Sequence, residues 1–550
     1  MATDTLYHPT LNCTLRGKPS ASTVQFRNLK YAIIPGRWQE SVLNDNLPHD
    51  ANGVYDATQF GPSCPHHRSA QAWDLTLVGN VTMPMGDGNP NNEQAMDEFS
   101  CLHVAVTVPK SHTGENAKNA TKLPVFVWVH GGGLSMGSNN WPQYNLTRFV
   151  ERSCEIGKPV IGVAINYRVG ILGYLASTEL GIDGNFGYKD QVVAFRWVKK
   201  HIVGFGGDPG RITASAESAG AISLSTLLCA DFGNEGLFER VVIMSGDANL
   251  RKSRIRSWHD QMYHDQLKFL GLENVSVEER KRQLRGMDAV EMTNKLPLAQ
   301  YFCGCVDGKF LTENLTLSLL ADHTRVGHKP RWCKDFVMGD TRHDGTVLHG
   351  RVLANPKAFE NLKAACAAHL SNSEITTLLS TYNLPTTSPD QEARSLNEIM
   401  SDMRFYIPVL AAHRGWKVAI GTKHSGRYHF HVPNTIEGEF THLASHELDV
   451  ALLLQNYFDY LDEKSKVVGT QMMDQWLRYT DGEPWCEAGK VVFIGADGLG
   501  EVDEEEYDDK FRAGTGKMLW ALGTDRLWKV AEAWQGVRPE ELKDRTRGRL

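Results

Sequence analysis

The sequence predicts an α/β fold: a large, mostly parallel sheet covered by helices on both faces. Three observations carry that prediction. First, the apolar runs 124–129, 159–166 and 240–244 are too unbroken for half-exposed strands and read as strands buried on both faces. Second, a helical pattern stands between them at 189–202, where Val192, Phe195, Val198 and Ile202 recur near one face. Third, residues 211–222 run from a small, β-branched strand through a sharp turn into a helix marked by Ala221, Ile222, Leu224, Leu227 and Leu228. Strands that alternate with helices specify a parallel, doubly covered sheet.

In chain order, residues 1–60 read as an edge β-region with partial alternation over 24–32. Residues 61–98 show no regular period and read as a long loop, on the strength of Pro84, Gly86, Asp87, Gly88, Asn89, Pro90, Asn91 and Asn92. A strand follows at 102–109 and a polar turn at 111–122. The buried strand 124–129 runs straight into His130-Gly131-Gly132-Gly133-Leu134. Three glycines at a strand end suit a flexible loop. They also let backbone N–H groups converge on one point, which a developing oxyanion requires. Residues 205–209 turn the chain into the strand that precedes Ser218. Residues 255–330 are helical and irregular, as a cap over a site would be. A short strand at 335–339 ends in Asp340-Thr341-Arg342-His343-Asp344-Gly345, and 357–415 is a second, largely helical cap-like stretch. A strand at 428–432 leads into the loop that carries His442 and His446, then a helix to about 461. The acidic run 501–510 reads as a solvated face. No repeat and no linker is visible, so 1–550 reads as one domain, although about 150 residues per domain is the common prior.

The chain has 550 residues and a formal net charge of −7, with 41% hydrophobic and 22% charged residues. Such a balance argues against nucleic acid or an anionic membrane as partner. No run of about 18 apolar residues exists, so no transmembrane segment is expected. Residues 1–9 lack a basic n-region and an apolar h-region, which predicts a cytoplasmic protein. Asn-x-Ser/Thr sequons at Asn12, Asn80, Asn119, Asn145, Asn274 and Asn314 matter only in a secreted chain, and Gly548-Arg549-Leu550 is a poor approximation to a peroxisomal tail. The ten cysteines contain no Cys-x-x-Cys pair and read as free thiols.

The chemistry centres on Ala216-Glu217-Ser218-Ala219-Gly220, a G-x-S-x-G nucleophile elbow with Ala for its first Gly. The motif recurs by chance in long chains. Its flanking strand and helix are what mark Ser218 as a nucleophile. A hydroxyl nucleophile needs a base, and the base needs an orienting carboxylate; in this architecture they follow in the order acid, then histidine. Asp344 and His446 satisfy that order. Asp340 rivals the first and His442 the second, and the bland alternatives are a turn aspartate and a surface histidine. His442 with His446, or His429 with His431, have spacings that could hold zinc, but no third ligand is evident, so no metal is expected.

As a set, residues 130–138, Asn166-Tyr167-Arg168-Val169-Gly170, Gly184-Asn185-Phe186-Gly187, Asp190-Gln191, 205–209 and Glu217-Ser218-Ala219-Gly220 resemble the type-B carboxylesterases, cholinesterase-like α/β-hydrolases, in wording closest to fungal members. The likeness covers most of the chain and is strongest over about 100–250. It implies the α/β-hydrolase fold, Ser218 as nucleophile, His446 as base, Asp344 where the family usually has Glu, and an oxyanion hole of Gly132, Gly133 and Ala219. It further implies that Cys64 and Cys101 match the family's first disulfide, against the free-thiol reading. Three departures stand out: Ala216, Asp344, and Phe99 in the place of the acidic partner of Arg37, which Glu98 could replace. The expected activity is hydrolysis of a small-molecule carboxylic ester through an acyl-enzyme, with no metal or organic cofactor. The alternatives are acyl transfer, lactone formation or elimination on the same scaffold, and a non-catalytic binding protein. The last typically lacks triad residues, whereas this chain keeps candidates for all three.

Overall fold

A computed structural model of the chain describes residues 4–85, 94–113, 121–233, 235–298, 300–417 and 424–538. The described residues build a 13-stranded sheet. Its strands are β1 (Thr5–His8), β2 (Cys13–Pro19), β3 (Thr23–Lys30), β4 (Val54–Ala57), β5 (His103–Pro109), β6 (Leu123–Val129), β7 (Ile161–Ile165), β8 (Gly207–Glu217), β9 (Arg240–Met244), β10 (Asp335–Thr341), β11 (His424–Phe430), β12 (Lys490–Gly495) and β13 (Gly498–Asp503). Along the sheet they run β1-β2-β3-β5-β7-β6-β8-β9-β10-β11-β12-β13, with β4 beside β2. From β7 to β12 every pairing is parallel. The N-terminal strands β1, β2, β3 and β5 and the last strand β13 pair antiparallel.

Strand β6 shows why the centre of the sheet holds. All seven of its residues are buried. Val125, Val127 and Val129 pack into one core, Phe126 and Trp128 into the other. The two-residue period of a strand thus feeds two hydrophobic layers at once. Helices supply the partners, among them Phe186–His201 on the first face and Leu448–Leu454 with Glu463–Asp481 on the second. A third core forms among Ala358–His369, Pro389–Ser401, Ile407–Lys417 and Thr524–Trp534. Because parallel strands end at the same edge, the loops after β6, β8, β10 and β11 gather there, and ligands bind at that edge of open α/β sheets.

Several expectations change in detail. Residues 61–98 are not one loop: Ala70–Leu75 is a short helix with Asp74 buried. Residues 255–330 hold the helices Arg256–Leu270, Val277–Gly286, Ala289–Lys295 and Leu317–Ala321. The acidic run 501–510 is not wholly a solvated face. It is split between β13 and the helix Glu504–Phe511, and Glu504 lies 3.2 Å from His413 Nε2 and 2.9 Å from Lys417 Nζ. The loop residues Gly86–Asn92, part of the polar turn at 111–122, the sequon at Asn119 and the tail Gly548–Leu550 lie outside the described residues.

Candidate active site

Strand β8 ends at Glu217, and the helix Ser218–Leu227 begins on the next residue. A strand passing into a helix without a connecting loop forces the residue between them out of both conformations. Ser218 sits at φ 50°, in the left-handed region that non-glycine residues rarely adopt. The turn brings the helix against β6, where a Cβ on Gly220 would overlap Val129 O and His130 O. Ala216 is buried where β8 pairs with Val129 on one side and Ile243 on the other. Small residues flank the serine because backbones fill the space around it.

The loops after β10 and β11 bring Asp344 to His446. A bridge between His343 and Ser445 ties them, and His446 N–H donates to Thr346 Oγ1 at 3.0 Å. His446 Nδ1 then lies 2.6 Å from Asp344 Oδ1. The other carboxylate oxygen accepts from Thr341 N–H at 2.8 Å and Ser245 Oγ–H at 3.0 Å. Asp344 is therefore anchored on both oxygens, and its partner ring carries a proton on Nδ1 and a free lone pair on Nε2. Burial pulls the His446 pKa down, but the Asp344 hydrogen bond and charge outweigh it, so the value is raised above that of an ordinary histidine.

The rivals are placed elsewhere. Asp340 holds His429 Nδ1 at 2.5 Å and Arg512 at 2.8 Å. His442 is exposed on its loop. His431 Nε2 bonds Tyr507 Oη at 2.8 Å. His429 Nδ1 and His431 Nε2 are thus committed to partners within the protein.

Ser218 Oγ forms no hydrogen bond with the described residues. What approaches His446 Nε2 instead is Glu217 Oε1, at 2.8 Å but too oblique for a hydrogen bond. Catalytic contacts are often loose until substrate arrives. Burial pushes the Glu217 carboxyl well above the usual carboxylate range, and so it does Glu447, whose carboxyl packs against it. Tyr144 Oη–H reaches Glu447 at 3.2 Å and Asp74 at 3.3 Å, and Gln143 donates to Asp74 at 3.0 Å. Nothing local in the sequence marks Glu447 or Asp74 as part of this group. They meet only through the fold.

Gly132 sits at φ +100° and Gly133 at φ +61°. A Cβ on Gly132 would overlap Met136 O, so the loop is built for glycine. Neither amide N–H has a partner among the described residues. Both glycines and Ser218 line one cavity of about 470 Å³. Its wall combines apolar residues, among them Trp73, Leu77, Met136, Leu298 and Phe440, with polar and charged ones such as Asp74, Gln300, His349, Glu439 and Glu447. Two arginines on that wall, Arg251 and Arg351, carry no sequence motif.

Around the site, Glu98 takes the role vacated at Phe99. Its carboxylate accepts two N–H bonds from Arg37, one of them at 2.7 Å, while the Arg37 guanidinium lies 5.8 Å from the Trp38 ring centre. Cys64 and Cys101 are buried side by side and unbridged, as are all ten cysteines. Contact with Cys64 and burial raise the Cys101 pKa well above an ordinary thiol's.

Comparison with known proteins agrees with this geometry. The model of the Carboxylesterase family matches residues 10–486. Lipase 3 of Yarrowia lipolytica is 31% identical over 379 residues, covering 67% of this chain and 68% of its own. Lipase 1 of the same yeast is 36% identical over 241 residues, 43% of this chain and 45% of its own, so that match spans less than half of either protein. Among solved structures, a thermophilic PNB esterase superposes with a TM-score of 0.70 at 20% identity, over 94% of this chain and 99% of that one. At that identity the likeness is one of fold.

Proposed function

The chain belongs to the carboxylesterase family and has its α/β-hydrolase fold, and on that premise we propose that it hydrolyses carboxylic esters by an acyl-enzyme mechanism. The observation that carries the reading is the 2.6 Å contact of His446 with a doubly anchored Asp344, at the same sheet edge as a serine forced to φ 50° on the wall of a cavity of about 470 Å³.

In this reading Ser218 Oγ attacks the acyl carbon and its proton passes to His446 Nε2. Asp344 keeps the ring in the tautomer with Nδ1–H and stabilises the imidazolium once it forms. The oxyanion is held by the N–H groups of Gly132, Gly133 and Ala219, where loss of one donor commonly costs about 10²–10³ in rate. The His446 proton goes to the leaving alkoxide as the C–O bond breaks. Water, deprotonated by the same Nε2, then attacks the acyl-serine and releases the acid. His446 has to swing from Glu217 towards Ser218 as substrate enters. No step calls for a metal or an organic cofactor.

The test is hydrolysis of p-nitrophenyl esters from acetate to long acyl chains, by wild type and by Ser218→Ala, with fluorophosphonate labelling of both. Turnover and labelling that vanish together in the variant support the reading. A folded wild type inert to every ester and to the probe overturns it. Added alcohol acceptors separate water from another acyl acceptor.

A further inference from the structure

Two arginines on the wall of the cavity beside Ser218, Arg251 and Arg351, form no ion pair with the described residues. Arg251 has one terminal guanidinium nitrogen, Nη1, buried without a hydrogen-bond partner. The other stands 3.3 Å from where a Cβ on Gly133 would be, directly beside the loop that supplies the hole amides. The side chain's one recorded contact is with the Tyr301 ring, 4.6 Å away. Arg351, half-buried on the turn His349–Leu353, forms no ion pair or hydrogen bond with the described residues. Both line the same cavity, and burial, with the charge on Arg251 adding to it, lowers the Arg351 pKa to about 10.

The carboxyls nearby are all engaged. Glu439 lies 3.0 Å from His349 Nε2. Glu532 pairs with Arg254 and lies 3.7 Å from Arg404. Glu447 is driven towards its neutral form by burial, and Asp74, pushed up to about 6, is hydrogen-bonded by Gln143 and Tyr144. A buried guanidinium nitrogen without a hydrogen-bond partner is unfavourable unless an anion arrives. Its planar fork of donors matches a carboxylate.

Resting on the esterase reading, we infer that Arg251 and Arg351 bind an anionic group of the substrate, so that the preferred ester carries a carboxylate beyond the scissile bond. The guanidiniums neutralise that carboxylate while the apolar wall takes the connecting chain. The carboxylate sits on either the acyl or the alcohol side of the ester, and the two sides are separable by experiment.

Two matched pairs test it: mono-p-nitrophenyl adipate against p-nitrophenyl adipamate, and 4-acetoxybenzoate against 4-acetoxybenzamide. The expected result is a kcat/KM at least tenfold higher for the anion in one pair, which also identifies the side. In Arg351→Gln and Arg251→Gln that ratio falls towards one, and Arg351→Lys retains part of it. If Arg251→Gln does not fold, Arg351→Gln carries the test, since the Arg351 side chain forms no ion pair or hydrogen bond with the described residues. Calorimetric titration of Ser218→Ala with each pair reads binding without turnover. Hydrolysis of all four esters with both ratios near one overturns the inference and leaves the esterase reading intact. Preferential binding of the anions to Ser218→Ala with no turnover by wild type overturns the esterase reading instead, and keeps the anion site.

Discussion

Glu217 Oε1 lies 2.8 Å from His446 Nε2, the ring atom that takes the proton of Ser218 in the proposed mechanism. The residue next to Ser218 therefore stands against that nitrogen without hydrogen-bonding it. Burial pushes the Glu217 carboxyl well above the usual carboxylate range, towards its neutral form, in which it meets the imidazole as a dipole and not as a second anion. Glu217→Gln preserves shape and neutrality and is expected to lower kcat/KM by less than about tenfold, roughly 1.4 kcal/mol of barrier. A loss above a hundredfold shows that a charged Glu217 takes part in the reaction.

The His446 pKa gives a pH prediction with a definite sign. The base works only as neutral imidazole, and its pKa lies above the ordinary 6.5. Activity should fall as pH drops through a midpoint above 6.5 in kcat/KM. Asp344→Asn removes the partner that raises the value, so the midpoint moves down. The same change costs on the order of 10⁴ in kcat by releasing the tautomer. A wild-type midpoint below 6.5 contradicts this account of the pair.

Gly220 should be irreplaceable for a steric reason. The obstruction to a Cβ there is the Val129 carbonyl, part of the central strand, and not a movable side chain. Gly220→Ala is expected to cost roughly 3 kcal/mol, read from urea midpoints. Gly286, at the end of its helix with nothing within 4 Å of its Cβ position, is the control. Gly286→Ala should be neutral or stabilising by up to about 1 kcal/mol.

The Arg37–Glu98 pair is 7% and 10% exposed. Removing one charge leaves the other buried, so Glu98→Gln should cost about 3 kcal/mol in thermal or urea unfolding. Phe99 is 50% exposed, in contrast to the buried pair. Adding Phe99→Glu to the variant should not restore stability. Recovery there would place the family's usual acid within reach of Arg37 after all.

The parts of the site that were legible in the sequence are those written locally. Ser218 sits in a strand, turn and helix that are contiguous, so the elbow was visible before the fold was. Chain order and the family resemblance favour Asp344 and His446 over Asp340 and His442, but only the fold supplies a geometric reason for that choice. That choice depends on register: β10 and β11 pair Asp340 with His429 across the sheet, which consumes both, and leaves Asp344 in the loop beyond. The helix Ala70–Leu75 was lost because six residues are too few for a period to emerge. Arg251, Arg351, Asp74 and Glu447 left no trace because each gains its meaning from neighbours distant in sequence. The departure at Phe99 is visible in the sequence because Glu98, which accepts from Arg37, is its neighbour in the chain.

The spacing of the acid and the base along the chain has a kinetic consequence. Asp344 and His446 are separated by 102 residues, and β11 has to dock on β10 before they meet. Contacts of that range in parallel sheets form late, because loop-closure entropy opposes them until the sheet is nearly complete. During refolding, helical circular dichroism should therefore return well before esterase activity. A chain cut after residue 417 retains Ser218 and the oxyanion loop, yet lacks the strand that delivers the base, so turnover reports on completion of the sheet and not on the elbow alone.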